Sequence, residues 1–319
     1  MNQSLLTWQL VVLYVGSVLY YGVHFPTILA FVQEIFERGA HNRLNGILEV
    51  QSQAASMIAG GVAGILFQLI DPARVLLFVA LSSLVSFALI SMLSYKPRPR
   101  IAKRTVKAEG TFIGVHFIKR NVRVCLSIFV LTIPFLTLMI GNYLRPIFIN
   151  STLQADASIY GFTNMLYSLG AVAAGVLIPI MYARYGAWVA AVSSVALYTI
   201  SLLLVAAIPV IGLFLMMQIL HGVGNAGSRI CKQNIMMAVI PNAYMGRVNG
   251  IFEAVGTGIR LLLLLLFTYS LDWIGVPFAF LITGFISLMG LLFLLRGRKV
   301  LMLETGGREE PISLKVKSS

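Results

Sequence analysis

Nine stretches of about 20 apolar residues divide the sequence, and they restrict the possible fold more than any other feature. A helix of about 20 residues crosses the hydrocarbon core of a bilayer, where only helices and closed barrels satisfy every backbone polar group. Only 11% of the residues are charged, against about 25% in a soluble domain. The sequence therefore predicts an all-α, multi-pass membrane protein with about nine transmembrane helices, at 5–32, 44–69, 75–93, 125–149, 159–182, 187–208, 210–237, 248–270 and 276–295.

The basic residues fall in alternate loops between these stretches. Of the 24 Lys and Arg residues, 21 would then lie on one side of the membrane, nine of them between Lys96 and Arg123. Short cytoplasmic loops retain Lys and Arg, so this pattern predicts a cytoplasmic C-terminus and an external N-terminus in an inner or plasma membrane. The same placement accounts for the net charge of +13 without a nucleic-acid partner.

A heptapeptide occurs twice, each time where a polar loop leads into a long apolar stretch. The sequence RLNGILE at 43–49 recurs as RVNGIFE at 247–253, with Arg, Asn, Gly, Ile and Glu in register. Such an internal repeat indicates two like-oriented halves, as in many secondary transporters. One apolar stretch precedes the first copy within its half and four precede the second, so three helices are expected to be missing from the first half.

This comparison predicts four segments of chain. Residues 1–93 would form a partial N-terminal half with three helices, and 94–124 a basic cytoplasmic linker whose later part forms a short amphipathic helix. Residues 125–299 would form a complete six-helix half. Residues 300–319 would be a cytoplasmic tail.

Three stretches resemble a known family. They are NRLNG at 42–46 followed by AGGVAG at 59–64, EG at 109–110 with FIKRN at 117–121, and the run from IP to GRVNG over 240–250. They are similar to the major facilitator superfamily, and within it to the branch of multidrug and macrolide efflux proteins and siderophore exporters. The resemblance implies a major facilitator-type helical bundle in which two halves alternate access to a central site.

The resemblance also implies a function. A protein of this branch would export a drug-like or siderophore-like small molecule against a proton gradient, within the lipid bilayer and without a cofactor. A family loop motif would be reduced here to YARYG at 182–186, which leaves Arg184 as a gating candidate. Two alternatives stay open, namely a truncated membrane remnant that does not transport and a nutrient importer or uniporter. The sequence has no nucleotide-binding loop, metal cluster or catalytic triad, so an enzyme is not expected.

Two glutamates of the repeat are candidates for chemistry, because charged side chains at membrane depth are costly and often functional. Glu49 and Glu253 would lie about two turns into their helices. Either could accept a proton that drives export. Alternatively, each is a structural carboxylate at the cytoplasmic rim, bonded to loop amides or paired with Arg43 or Arg247, and occurrence in both halves favours this structural interpretation.

Arg260 is a further candidate, seven residues after Glu253 and therefore on the same helix face. Its counterpart in the first half is Ser56, so the repeat does not require a charge there. We expect Arg260 to face the central cavity and to meet an anionic substrate or a buried carboxylate. The alternative is a purely structural ion pair.

Polar residues also recur at steps of three and four in the seventh apolar stretch, which places them on one helix face. They could line a cavity or form hydrogen bonds between packed helices. The members are Gln218, His221 and Asn225, continued by Ser228 or Arg229 and Lys232. Weaker cavity candidates are Asn142 and Tyr143, and the structural or gating candidates of the repeat are Asn45, Asn249, Gly46 and Gly250.

Overall fold

The computed structural model describes residues 7–69, 71–92, 113–156 and 158–298. These residues form helices joined by short turns and contain no strand, so the predicted all-α bundle is confirmed. Within the described residues, all nine predicted apolar stretches fall on helices, although one stretch is divided between two helices and two stretches share one helix. The helices are α1 (Thr7–Ile35), α2 (Arg38–Leu69), α3 (Pro72–Ser91), α4 (Ile113–Arg120), α5 (Val122–Val130), α6 (Ile133–Ile147), α7 (Ser158–Ala207), α8 (Ile211–Val239), α9 (Asn242–Ile274) and α10 (Val276–Arg296).

Six helical stretches in the described part of the chain are long and apolar enough to cross a membrane. One of them, Ile159–Ala207, has 49 residues and therefore room for two crossings. Helices α2 and α8 have 32 and 29 residues, but their polar side chains keep them out of this group. The six stretches are Val11–Ile35, Arg74–Ser91, Val122–Thr152, Ile159–Ala207, Tyr244–Ile274 and Val276–Arg296.

Three of the predicted spans do not form separate, continuous helices. The stretch 125–149 is interrupted at Leu131 and Thr132, which separate α5 from α6, and it ends in a π-helical turn at Phe148–Thr152. The stretches 159–182 and 187–208 are joined without a loop, because α7 changes direction at Gly186, where φ is 87°. A residue without a Cβ adopts this backbone conformation readily, so one glycine replaces the expected connection.

The centre of the bundle is the contact of α7 with α8. A Cβ on Gly222 would collide with the carbonyl oxygen of Tyr167, and one on Gly224 would lie 2.6 Å from the backbone nitrogen of Tyr198. These glycines therefore allow the two helices to pack backbone against backbone. Helices α10 and α2 also pack against α7.

Helix α1 packs on α9 and α8, and helix α2 packs on α7 and α8. Helix α2 approaches α7 closely, since a Cβ on Gly175 would lie 2.8 Å from the carbonyl oxygen of Gly46. Helix α4 lies on α9, where the Phe117 ring stacks on Tyr244 with 5.6 Å between ring centroids. This helix occupies part of the predicted linker 94–124; residues 94–112 of that linker and the predicted tail 300–319 lie outside the described residues.

Candidate functional site

A buried ion pair connects α2 to α8. Glu49 is 7% exposed, and its carboxylate accepts a hydrogen bond from the guanidinium of Arg229 on α8. The amide of Gln53, one turn further along α2, donates to the same oxygen over 2.9 Å. The Arg229 guanidinium also lies over the ring of Phe135, 5.9 Å from its centroid. The expected pairing of Glu49 with Arg43 or Arg247 is therefore corrected, because the partner is an arginine from the polar stripe of α8.

A set of asparagines continues this contact toward the start of α2. The amide of Asn45 donates to the Asn234 side-chain oxygen over 2.5 Å, and the Asn234 amide donates to Asn42 over 2.7 Å. Asn42 in turn donates to the carbonyl of Pro179 on α7. We call these residues together with Glu49 and Arg229 the α2–α8 seam. Five polar side chains thus fix the position of α2 against α8.

Gln33 closes the same end of the bundle from α1. Its side-chain amide donates to the carbonyl oxygens of Met237 and Ile240, at 3.0 Å each. Carbonyls in the last turn of a helix have no partner within that helix. Gln33 therefore caps α8 and holds the end of α1 beside the seam.

The second copy of the repeat has different surroundings. Glu253 pairs with Lys232 over 3.2 Å, but its side chain is 49% exposed, against 8% for Glu49. A Cβ on Gly46 would collide with the Gly175 carbonyl, whereas one on Gly250 would meet nothing within 4 Å. The two copies are thus alike in sequence and unlike in packing.

The asparagines and arginines of the two copies, in contrast, have matching exposure. Asn45 is completely buried, and Asn249 is 6% exposed on α9. The arginines that open the copies, Arg43 and Arg247, are both exposed. The buried asparagine is thus common to both copies, while only the first copy buries its glutamate.

The polar stripe of α8 is buried along its length, and its members contact different helices. Gln218 donates to the Phe214 carbonyl in its own helix, and its side-chain oxygen lies 3.5 Å from Nδ1 of His221. Asn225 donates to the Tyr167 hydroxyl on α7 over 2.6 Å. The stripe therefore forms hydrogen bonds within α8 through Gln218, to α7 through Asn225 and to α2 through Arg229.

The remaining candidates lie away from the seam. Arg260 is partly exposed on α9 and makes no hydrogen bond or ion pair with another residue that the structure describes. Asn142 and Tyr143 are exposed on α6, and Asn142 accepts a hydrogen bond from Arg145. Arg184 is exposed beside the ring of the next tyrosine, at 5.4 Å. The structure does not bring these residues together with Glu49.

Sequence reasoning missed three participants. Asn42 was noted only within the NRLNG stretch at 42–46, and neither Asn234 nor Arg145 was among the candidate site residues. The position of Arg229 in the α8 stripe was a usable signal for its burial. Its pairing with Glu49, 180 positions away in the chain, had no signal in a single sequence.

The fold and the seam define a class, namely multi-pass membrane proteins built on a repeated helical unit with a polar contact between the repeat-bearing parts. The model of the Major Facilitator Superfamily matches residues 126–317, more than half of the sequence, and the chain belongs to this superfamily. It is therefore a membrane transporter of small molecules rather than an enzyme.

Thirteen chains of solved structures match the fold. One is a crystal structure of a bacterial homologue of the iron transporter ferroportin in an outward-facing state, with a TM-score of 0.65 and 15% identity. The match covers 93% of this chain and 76% of that chain. At this identity the likeness shows the fold alone. A comparison with curated protein sequences finds no match.

Proposed function

We propose that the protein exports an amphiphilic small molecule, drug-like or siderophore-like, in exchange for protons. It would reside in an inner or plasma membrane with its C-terminus in the cytoplasm. Residues 1–93 and 125–299 would be its two halves, joined by 94–124. The observation that carries the proposal is the buried Glu49–Arg229 pair, which joins one half to the other.

This pair gives the exchange a physical mechanism. Alternating access requires that the contact between the halves opens and closes. A proton on Glu49 removes the negative charge opposite Arg229. For a pair that is mostly buried, we expect this loss to cost about 2–3 kcal/mol. A change of this size shifts a two-state equilibrium by roughly thirtyfold to a hundredfold. The amides of Asn42, Asn45 and Asn234 do not titrate, so protonation would act on the ion pair alone.

The basic helix ends support the proposed orientation. Gln33 bonds the end of α1 to the end of α8, and Gly114 of α4 lies against Arg247 at the start of α9. Trp188, just after the α7 break, donates to the Leu294 carbonyl at the end of α10. These contacts gather basic segments at one end of the bundle, as a cytoplasmic face would have them. A seam closed there fits an outward-facing state, the state of the ferroportin-homologue structure.

Transport in proteoliposomes tests the proposal. The purified 319-residue chain would be reconstituted and offered fluorescent amphiphilic cations and ferric siderophores, with and without an imposed pH gradient. We expect flux that depends on the gradient and loses that dependence in Glu49→Gln. The matched control is Asp272→Asn, since Asp272 is an exposed acidic residue of α9 outside the seam.

The other outcomes separate the alternatives. Flux that is equal with and without the gradient would replace the exporter by a facilitative carrier, such as a nutrient uniporter. Folded protein that moves none of the compounds would favour a membrane protein without transport activity. A gradient-dependent flux unchanged in Glu49→Gln would remove Glu49 from the proton pathway.

A further inference from the structure

Arg145 is buried away from the α2–α8 seam. It lies in the last turn of α6 and is 4% exposed. Its Nη2 donates to the Asn142 side-chain oxygen over 2.8 Å. The ion pairs between the described helices, Arg229–Glu49 and Lys232–Glu253, do not include it.

This charge is therefore without a carboxylate partner among the residues that the structure describes. Removing a guanidinium from water is expensive unless an opposite charge accompanies it. The amide oxygen of Asn142 supplies one hydrogen bond and no charge. A counter-ion from outside the chain would compensate for the burial of Arg145.

Arg145 lines a cavity between α6, α7, α8 and α10, and the cavity has room for about one water-sized ligand. His221 lines the same cavity from α8 and is 5% exposed. Its Nε2 is buried and has no hydrogen-bond partner among the described residues. Tyr198 and Gln218 supply polar surface beside it, and Phe280 closes the α10 side. Two nitrogen-bearing side chains thus converge on one small space.

We propose that this cavity binds a single small anionic group between Arg145 and His221. The group is a free halide, because a cavity with room for about one water-sized ligand does not admit the carboxylate of a larger transported molecule. Binding at this place goes beyond the proposed export function and does not depend on it. The Arg145 guanidinium supplies the permanent charge and the imidazole the second donor.

Protonation of His221 accompanies anion binding. The Gln218 side-chain oxygen accepts, because its amide nitrogen donates to Phe214, so Nδ1 of His221 carries the proton of that 3.5 Å contact. Nε2 then needs a second proton to donate to an anion. The charged or titratable groups facing the ring are Arg145 from α6 and Tyr198 from α7, whose ring centroid is 5.2 Å away. Anion binding should therefore weaken as the pH rises.

Equilibrium dialysis of the purified 319-residue chain with radiolabelled chloride and radiolabelled acetate tests the proposal, with gluconate as the background anion. We expect saturable binding of one anion per chain. Arg145→Gln should weaken anion binding by about ten- to hundredfold, which is the effect expected from losing one charge-assisted hydrogen bond. His221→Asn should weaken it less and remove its pH dependence. Arg74→Gln, at an exposed arginine of α3, is the matched control and should bind normally.

The ligands distinguish the sources of the charge. Chloride binding that acetate does not displace assigns the site to a halide, as the size of the cavity predicts. Acetate binding without chloride binding would overturn that assignment. If neither binds to the folded protein, the proposal is overturned. Should Arg145→Gln fail to fold, His221→Asn decides, and unchanged affinity and pH dependence in that variant would also overturn it. Transport plays no part in these readouts, so loss of the export proposal leaves them interpretable.

Discussion

Substitution of Glu49 by Gln should open the α2–α8 seam. The carboxylate side chain is 8% exposed and that of Arg229 is 25% exposed, so the pair is mostly, but not fully, buried. An exposed pair contributes up to about 1 kcal/mol, and losing one partner of a buried pair costs about 3–5 kcal/mol. We therefore expect Glu49→Gln to destabilise the closed seam by about 2–3 kcal/mol relative to the open one. At 1.4 kcal/mol per factor of ten, the open fraction should rise by roughly thirtyfold to a hundredfold.

A cysteine in the seam can report this opening. Met237 is 2% exposed, and its sulfur lies 3.6 Å from the Asn45 amide. We would introduce Met237→Cys into a chain carrying Cys125→Ala and Cys231→Ala, since both native cysteines are buried thiols. When opening and closing are fast, the rate of maleimide labelling follows the open fraction. Glu49→Gln should therefore accelerate labelling by the factor given above.

Glu253→Gln is the matched comparison, because it removes the same group from the second repeat copy. The Glu253 side chain is 49% exposed and lies 3.2 Å from the Lys232 ammonium. Removing its charge should therefore cost less than about 1 kcal/mol and should accelerate maleimide labelling by less than about fivefold. Equal labelling rates for the two variants would refute the reasoning that burial makes Glu49 the holding contact. Adding Arg229→Gln to Glu49→Gln should change the rate by much less than its separate effect, because the two residues share one interaction.

Three further experiments test the packing, each by thermal unfolding of purified protein. Gly46→Ala should lower the free energy of unfolding by about 1–3 kcal/mol, because its Cβ would strike an α7 carbonyl. Gly250→Ala should leave that free energy unchanged or raise it by up to about 1 kcal/mol. Similar values for the two variants would argue against close packing at Gly46. A double-mutant cycle of Asn45→Ala with Asn234→Ala should give a coupling of about 1 kcal/mol, and a value near zero would contradict the bond. Phe117→Ala should cost about 3–5 kcal/mol if α4 is docked on α9, because this ring is 2% exposed.

The helices of this protein could be predicted because their causes are local. Apolar stretches of membrane-spanning length and the period of the α8 stripe depend only on neighbouring residues. Even so, the predicted loop at 182–186 proved to be a break at Gly186, since a single positive φ suffices to redirect a helix.

The sequence by itself determined the membrane class, the positions of the helices and the existence of the repeat. Only the tertiary structure decided that Glu49 pairs with Arg229, that Glu253 stays half exposed and that Arg145 is buried beside His221. Identical residues in the two copies meet different neighbours, as Gly46 and Gly250 show. The physical reason is that a partner 180 positions away depends on how whole helices rotate and pack, and no local period records that choice.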